Sequence, residues 1–407
     1  MADRKRNIRM DPLVYRILKP ALKTVLGRLL NVKVEVPDEI SSLEPPYLII
    51  ANHQGFWDPF LIGMYLNHPV FFITSDAVFR SRFFNLALKF LGAIPKTKAK
   101  SDIDALKHIL DIKKQGQIIG LFPEGRRTWD GASMPLVLST SKLVRMLKVP
   151  VVCVKFKGGY FSHPRWGRSL RRGELRMEYS MVLSAEKLSK MRVAEIHRVI
   201  ADAVRHDEHA WQSGARIAYR GRKLAENIEQ FLFACPVCKS IGKISSGGNR
   251  FSCGGCGRIW EVDEYQQFKG LNGEPVYRNG TEWNSWQLDY LKEYLENGVG
   301  NGDLLLTDTG LIFHTGYKSR IPEFFAKGRM ELYAETLRII DDEETVLSLF
   351  GLDELSGINI QNREVFEFYH DNVLYTVNDA VKRFCSFKWL KAFEILQKEK
   401  ITRFHAD

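Results

Sequence analysis

Between residues 47 and 157 the chain alternates short apolar runs with stretches of helical spacing, and this alternation restricts the possible architectures more than any other feature. Residues 47–51, 70–74, 117–122 and 150–156 are short and almost continuously apolar, the pattern of strands buried on both faces. Between them, residues 101–114 and 135–148 place apolar side chains at helical intervals, the first with Ser101 as its N-cap. The pattern predicts an α/β domain with a mixed, largely buried sheet. A strand-like stretch over 174–183 and an amphipathic helix over 193–209 complete it near residue 225.

A chain of 407 residues exceeds one ordinary core, so two or three domains are expected. Charge divides them. Residues 1–260 carry 43 Lys and Arg against 22 Asp and Glu, a net of +21, whereas the remainder carries 16 against 26, a net of −10. The first part therefore suits an anionic partner and the second does not. From Leu13 to Leu30 apolar residues come in pairs four apart, with Arg16, Lys19, Lys23 and Arg28 on the other face and a kink expected at Pro20. A basic amphipathic helix of this kind can lie in a phospholipid membrane surface, which is the expectation, or pack its apolar stripe on its own domain. The longest run without a formal charge, residues 59–75, is broken by Asn67-His68-Pro69, and a span needs roughly 20 apolar residues. Charges also interrupt the N-terminal apolar stretch, unlike a signal peptide. The expected location is cytoplasmic, peripheral on the cytoplasmic face of the membrane.

The string Asn52-His53-Gln54-Gly55-Phe56-Trp57-Asp58-Pro59 holds a His with an Asp five residues later. Spacing alone proves nothing, because His197 and Asp202 share it inside a helical stretch. Context separates the two. His53 follows the C-terminal end of an apolar strand, where α/β sheets place their ligand sites, and Gly55 and Pro59 mark an irregular segment in which Asp58 can fold back. Imidazole suits removal of a hydroxyl proton near neutral pH, and a carboxylate on its far nitrogen fixes the tautomer. A second string, Phe122-Pro123-Glu124-Gly125-Arg126-Arg127-Thr128, also leaves a strand; its turn offers backbone N–H groups, and its guanidiniums are forked donors for phosphate. Two such loops on neighbouring parallel strands put a base site beside a phosphate site.

The order of these strings resembles the glycerolipid acyltransferase family that includes bacterial 1-acylglycerol-3-phosphate acyltransferase. The resemblance implies His53 as catalytic base and Asp58 as its partner. Its second block is similar to Gly92-Ala93-Ile94-Pro95-Lys96-Thr97-Lys98, with Lys98 where the family usually has Arg. Its third is similar to 122–128, with Arg126 in place of the usual Thr, and its fourth to Val149-Pro150-Val151-Val152. Implied for the substrate phosphate are Glu124, Gly125, Arg126, Arg127 and Lys98. The activity implied is transfer of a fatty acyl group from acyl-CoA or acyl carrier protein to a lysophospholipid, lysophosphatidic acid first, in phospholipid biosynthesis. The apolar stretch from Phe71 to Leu91 reads as core by composition, and as a holder of the acyl chain by resemblance. Residues 155–176 collect seven basic residues with Tyr160, Phe161 and Trp166 among them. Such a patch suits a headgroup interface or an acidic acyl carrier protein.

Cys235-Pro-Val-Cys238 and Cys253-Gly-Gly-Cys256 flank a turn at Ser246-Gly-Gly-Asn249, so two knuckles on a hairpin present four thiolates to one structural zinc. Four Cys ligands leave no open position, so this zinc is not expected in catalysis. Lys239, Lys243, Arg250, Arg258 and Trp260 supply the competing reading of a nucleic-acid-binding zinc ribbon, and nucleic acid is not the expected partner. Beyond it, residues 283–295 look helical and 298–302 are Gly-rich. Strand candidates follow at 303–313, 330–340, 345–350, 357–360, 365–369 and 373–377, then a helix over 386–398. This outline resembles a pleckstrin-homology or GRAM-like barrel. Asp341-Asp342-Glu343-Glu344 and the net negative charge favour protein interaction over phosphoinositide binding there. A non-catalytic lipid-binding adaptor is the other alternative, set against the joint presence of His53, Asp58, Glu124 and Arg127. The expected organisation is a membrane-facing helix over 1–30, an acyltransferase domain over 31–225, a zinc ribbon over 226–262, a helical linker over 263–302 and a PH-like domain over 303–407.

Overall fold

The structure, a computed structural model, describes residues 12–75, 80, 93–96, 103–317, 320–361, 363–380 and 384–404. Ser101, Lys98 and most of the apolar stretch after Ser75 lie outside the described residues. The described residues fall into two compact units: one of residues up to 96 with 102–224 and 264–266, the other of residues 225–263 and from 267 onward.

The first unit is a seven-stranded mixed sheet. Its strands are β1 (Val32–Glu35), β2 (Leu48–Ala51), β3 (Val70–Ser75), β4 (Ile94–Lys96), β5 (Ile118–Leu121), β6 (Val151–Lys157) and β7 (Leu175–Leu183). They lie in the order β1-β7-β6-β2-β5-β3-β4. All neighbours are parallel except β6 and β7. Consecutive side chains of a strand point to opposite faces, and here both faces find apolar cover. Ile49 and Ala51 pack with Leu26, Leu61 and Ile62 on one side, while Leu48 and Ile50 pack with Ile109, Val144, Ile196 and Ile200 on the other. The near-continuous apolar runs of the sequence have that cause.

Because β2 pairs with β5 in the register Leu48↔Ile119 and Ile50↔Leu121, the loops that leave their C-terminal ends emerge side by side. Asn52 fastens this edge to β6: its Nδ2 donates to the Phe156 carbonyl at 2.9 Å, and its Oδ1 accepts the Phe156 N–H at 2.8 Å. Gly120 leaves space for its neighbour, since a Cβ there would meet the Phe72 ring at 2.4 Å.

Several boundaries differ from the sequence expectation. The helix expected over 193–209 is two, Val193–Val204 and Glu208–Ala215. The chain leaves the helical path so that Glu208, fully buried, accepts the Gly158 N–H at 2.8 Å, and the Asp207 side chain caps the new helix. The N-terminal helix, Pro12–Leu29, runs through Pro20. Leu22, Leu26 and the following Leu30 join the core, whereas Ile17, Val25 and Leu29 are exposed. Lys19 is half-buried, its ammonium donating to the Leu66 carbonyl, and the exposed Lys23 lies 4.5 Å above the Tyr65 ring. No helix among the described residues is long and apolar enough to cross a membrane.

The second unit holds two sheets. Four strands, β8 (Ile244–Gly247), β9 (Arg250–Cys253), β10 (Ile259–Val262) and β11 (Phe268–Gly270), form an antiparallel sheet that extends past the expected end at 262. The segment read as a helical linker contains the helix Gly280–Asn301, longer than expected and packed. Trp283 sits among Phe251, Trp260 and Phe268 and donates to the Ala234 carbonyl at 2.9 Å. Gly298 belongs to this helix, because the Leu305 side chain occupies the place a Cβ would take, and Gly302 ends it at φ +71°. Then come β12 (Leu306–Gly316), β13 (Glu323–Leu332), β14 (Thr336–Asp341), β15 (Val346–Gly351), β16 (Ser356–Gln361), β17 (Val365–His370) and β18 (Val373–Asp379). Helix Ser386–Phe404 follows. The run 330–340, read as one strand, is a hairpin that sets Met330 opposite Ile339 and buries both. The sheet is antiparallel throughout, in the order β15-β14-β13-β12-β18-β17-β16. Its two ends do not pair among the described residues, so hydrogen bonds do not close it into a barrel.

Gly120→Ala is expected to destabilise the first unit by about 1–3 kcal/mol through overpacking against Phe72. Urea denaturation against wild type measures this, and an unchanged midpoint would contradict the packing described.

Candidate active site

His53 follows β2 directly, and Asp58 is the first residue of helix Asp58–Met64. The four-residue excursion between them folds back on itself, so that His53 Nδ1 lies 2.9 Å from Asp58 Oδ2. The same oxygen accepts the backbone N–H groups of Gln54 at 2.8 Å and Gly55 at 2.9 Å. Asp58 is 1% exposed. An ionised carboxylate only accepts, so Nδ1 carries the proton and Nε2 keeps its lone pair. The imidazole stacks on Phe122, with ring centroids 3.9 Å apart and planes at 16°, and Phe122 stacks in turn on Phe72 at 5.6 Å. The control pair never meets: His197 Nδ1 lies 2.9 Å from Ser141 Oγ, and Asp202 pairs with Arg205.

The second loop leaves β5. The Gly125 N–H donates to the Phe122 carbonyl at 2.9 Å, closing a turn in which Gly125 takes φ +71°. That conformation favours glycine. Since this N–H and that of Thr128, which donates to the His53 carbonyl at 3.0 Å, are both occupied, neither is available to an oxyanion. Glu124, expected among the phosphate-binding residues, turns inward. It is 4% exposed, and its two oxygens accept the His53 N–H at 3.2 Å and the Met134 N–H at 3.0 Å. A carboxylate placed there braces the His53 loop rather than meeting a phosphate of its own charge. Burial raises its carboxyl; the two backbone hydrogen bonds oppose that, Asp58 and Asp130 add to it, and the balance lies at about 7. Arg126 and Arg127 are half-buried on the same loop.

Of the basic stretch 155–176, Arg168, Arg172 and Arg176 are exposed, but its aromatics are not at the surface with them. Tyr160, Phe161 and Trp166 are buried, and so are Arg165 and Arg171, whose guanidiniums lie over Trp129 at 4.5 Å and Trp166 at 4.9 Å. Aromatics beside cations here reflect interior cation–π packing. Conversely, the sequence reading gave no role to Asn52 or Phe122, although both stand inside the strings it singled out. In the second unit, the sulfurs of Cys235, Cys238, Cys253 and Cys256 lie within 4.8 Å of one another, with Cys235 to Cys256 at 3.8 Å and Cys238 to Cys253 at 3.6 Å. A tetrahedral ion with sulfur ligands at about 2.3 Å requires edges of about 3.8 Å, so the cluster is compatible with metal binding.

A family model described as Acyltransferase matches residues 31–157. A 1-acyl-sn-glycerol-3-phosphate acyltransferase of Bacillus subtilis (strain 168) is 23% identical over 197 residues, 46% of this chain and 95% of that protein. A chloroplastic 1-acyl-sn-glycerol-3-phosphate acyltransferase of Brassica napus is 27% identical over 123 residues, 30% of this chain and 36% of that protein. The crystal structure of the Thermotoga maritima acyltransferase PlsC aligns with a TM-score of 0.41 and 18% identity, over 50% of this chain and 80% of that one. The region that holds both loops is thus an acyltransferase domain, and the chain is an acyltransferase enzyme.

The Glu124 carboxyl gives a pH signature. A folded-state value of about 7 against an ordinary 4.5 means that the native protein holds a proton there which the unfolded chain releases. Its contribution to stability is complete below pH 4.5 and is lost as the pH rises through about 7. Replacing Glu124 by Gln removes this dependence, so the stability difference should shift toward the variant across that window, by on the order of 3 kcal/mol. Denaturation of both proteins across that pH range checks it, and parallel curves would contradict it.

Proposed function

We propose that the chain transfers a fatty acyl group from a thioester, acyl-CoA or acyl carrier protein, to the free hydroxyl of a lysophospholipid, with lysophosphatidic acid as the first candidate. The observation that carries this reading is the Asp58-bound imidazole beside a loop bearing two adjacent arginines. The names of the Bacillus and Brassica relatives support the acceptor. In this mechanism Arg127, with Arg126, holds the acceptor's phosphate. His53 Nε2 takes the hydroxyl proton as that oxygen attacks the thioester carbonyl. Asp58 stabilises the imidazolium so formed. The tetrahedral intermediate then breaks its carbon–sulfur bond, and the leaving thiolate takes the proton from His53. Glu124 and Asn52 act through the backbone, by holding the His53 segment against β5 and β6.

The substrate lies in a membrane, and Ile17, Val25 and Leu29 with Arg16 and Arg28 on the N-terminal helix form the face we assign to a phospholipid surface. Cys235, Cys238, Cys253 and Cys256 would hold one structural zinc, which fixes the knuckles to each other and supplies no catalytic chemistry. A PH-like role in docking a protein partner suits the acidic antiparallel sheet and its closing helix.

His53→Ala is expected to lower turnover by about two to four orders of magnitude while His197→Ala changes it little. The assay is acyl transfer to lysophosphatidate with the product identified by mass spectrometry, and near-normal turnover of His53→Ala would overturn the mechanism. For the metal, elemental analysis should find one zinc per wild-type chain and none in Cys253→Ser. Wild-type protein free of zinc, or metal retained by the variant, would contradict the ribbon.

A further inference from the structure

The loop between helix Gly159–Ser162 and β7 is tied at its base and filled from within. The Arg171 N–H donates to the Ser162 carbonyl at 2.8 Å, and the Gly167 N–H to the Pro164 carbonyl at 3.0 Å. Trp166 Nε1 donates to the buried Tyr160 hydroxyl at 3.1 Å, and Arg171 covers Trp166 while its Nη2 donates to the Leu224 carbonyl at 2.5 Å. A loop so braced holds its remaining side chains in fixed positions. One of them is Arg165, 3% exposed, with its guanidinium over the buried Trp129 ring. Its Nη1 donates to the backbone carbonyl of Arg127 at 3.1 Å.

This placement is costly as packing alone. Burial of a guanidinium is expensive, and an apolar side chain of similar volume is often as stable in such a position or more so. Burial, then Arg127, then Arg126, all hold the Arg165 pKa well below that of a free arginine, so three cations share one region. That field favours a dianionic group over a neutral one.

We infer that Arg165 is a positioning residue for the phosphate of the acceptor, acting through Arg127, whose backbone it fixes and whose charge it reinforces. The inference rests on the phosphate-bearing acceptor proposed above. The guanidinium of Arg165 lies over Trp129, and its Nη1 reaches the Arg127 carbonyl. Lysine has the charge but neither the plane nor the fork.

The test uses the full chain with a thioester donor and two acceptors of equal acyl chain, lysophosphatidate and the uncharged monoacylglycerol. Arg165→Met should raise KM for lysophosphatidate by about tenfold or more, with a smaller change in kcat, and leave KM for the monoacylglycerol and for the donor within about twofold. Arg165→Lys should recover part of the loss. Equal impairment of both acceptors would make Arg165 a structural brace, and unchanged kinetics would give it no role; either result overturns the inference. Should Arg165→Met fail to fold, as read by circular dichroism, Arg165→Lys and Trp129→Phe carry the same comparison. If wild type itself does not distinguish the two acceptors, the phosphate reading fails together with the inference. If wild type prefers lysophosphatidate and the variants keep that preference undiminished, only the inference fails.

Discussion

One oxygen of Asp58 organises the end of the first unit where the loops after β2 and β5 emerge. It accepts the His53 ring N–H and the backbone N–H groups of Gln54 and Gly55, three donors drawn from a chain that must reverse within five residues. Each bond to an ionised acceptor in a buried setting is stronger than a neutral one, and the partial positive charge of the helix N-terminus at Asp58 adds to them. Gly55 makes the approach possible, because a Cβ at that position would stand 3.0 Å from the other Asp58 oxygen. Tautomer, ring orientation and loop path are therefore one structural event.

The rest of the unit serves to keep that event next to the loop of residues 122–128. Parallel pairing of β2 with β5 brings the two loops together, and the Asn52 amide ties the end of β2 to β6. Glu124 crosses from the second loop to the backbone of the first, so the carboxylate that the resemblance placed at the substrate phosphate is a strut between the loops. Two buried carboxylates within electrostatic reach of each other, Asp58 and Glu124, are an unstable combination. The molecule relieves it by giving one oxygen of Asp58 three N–H donors and letting Glu124 approach neutrality. Phe122 connects the same two loops through its ring, which covers one face of the imidazole.

What was legible in the sequence was local. His53 with Asp58, the turn at 122–128 and the four cysteines are each decided within a few residues, and the buried strands announce themselves by continuous apolar runs. What escaped depends on partners far along the chain. Arg165 meets Arg127 across 38 positions, and Glu124 meets His53 across 71. The stretch 155–176 looked like a wet basic surface because composition does not say which arginines lie on aromatic rings inside. Residues 193–209 looked like one helix because periodicity continues across a break imposed by a hydrogen bond from Gly158 to Glu208. Residues 330–340 looked like one strand because both arms of a buried hairpin are apolar. Lys98, where the family resemblance expects an arginine, lies outside the described residues.

The account stands on His53 acting as a base whose proton inventory is set by Asp58. The most direct measurement is acceptor-dependent thiol release from an acyl thioester by purified wild type and Asp58→Asn, with circular dichroism to confirm that both are folded. Wild type should release thiol in step with new ester on lysophosphatidate. Asp58→Asn, which offers the imidazole a neutral partner and the wrong tautomer, should be slower by about two to four orders of magnitude. A folded Asp58→Asn enzyme that turns over at close to the wild-type rate would contradict the account.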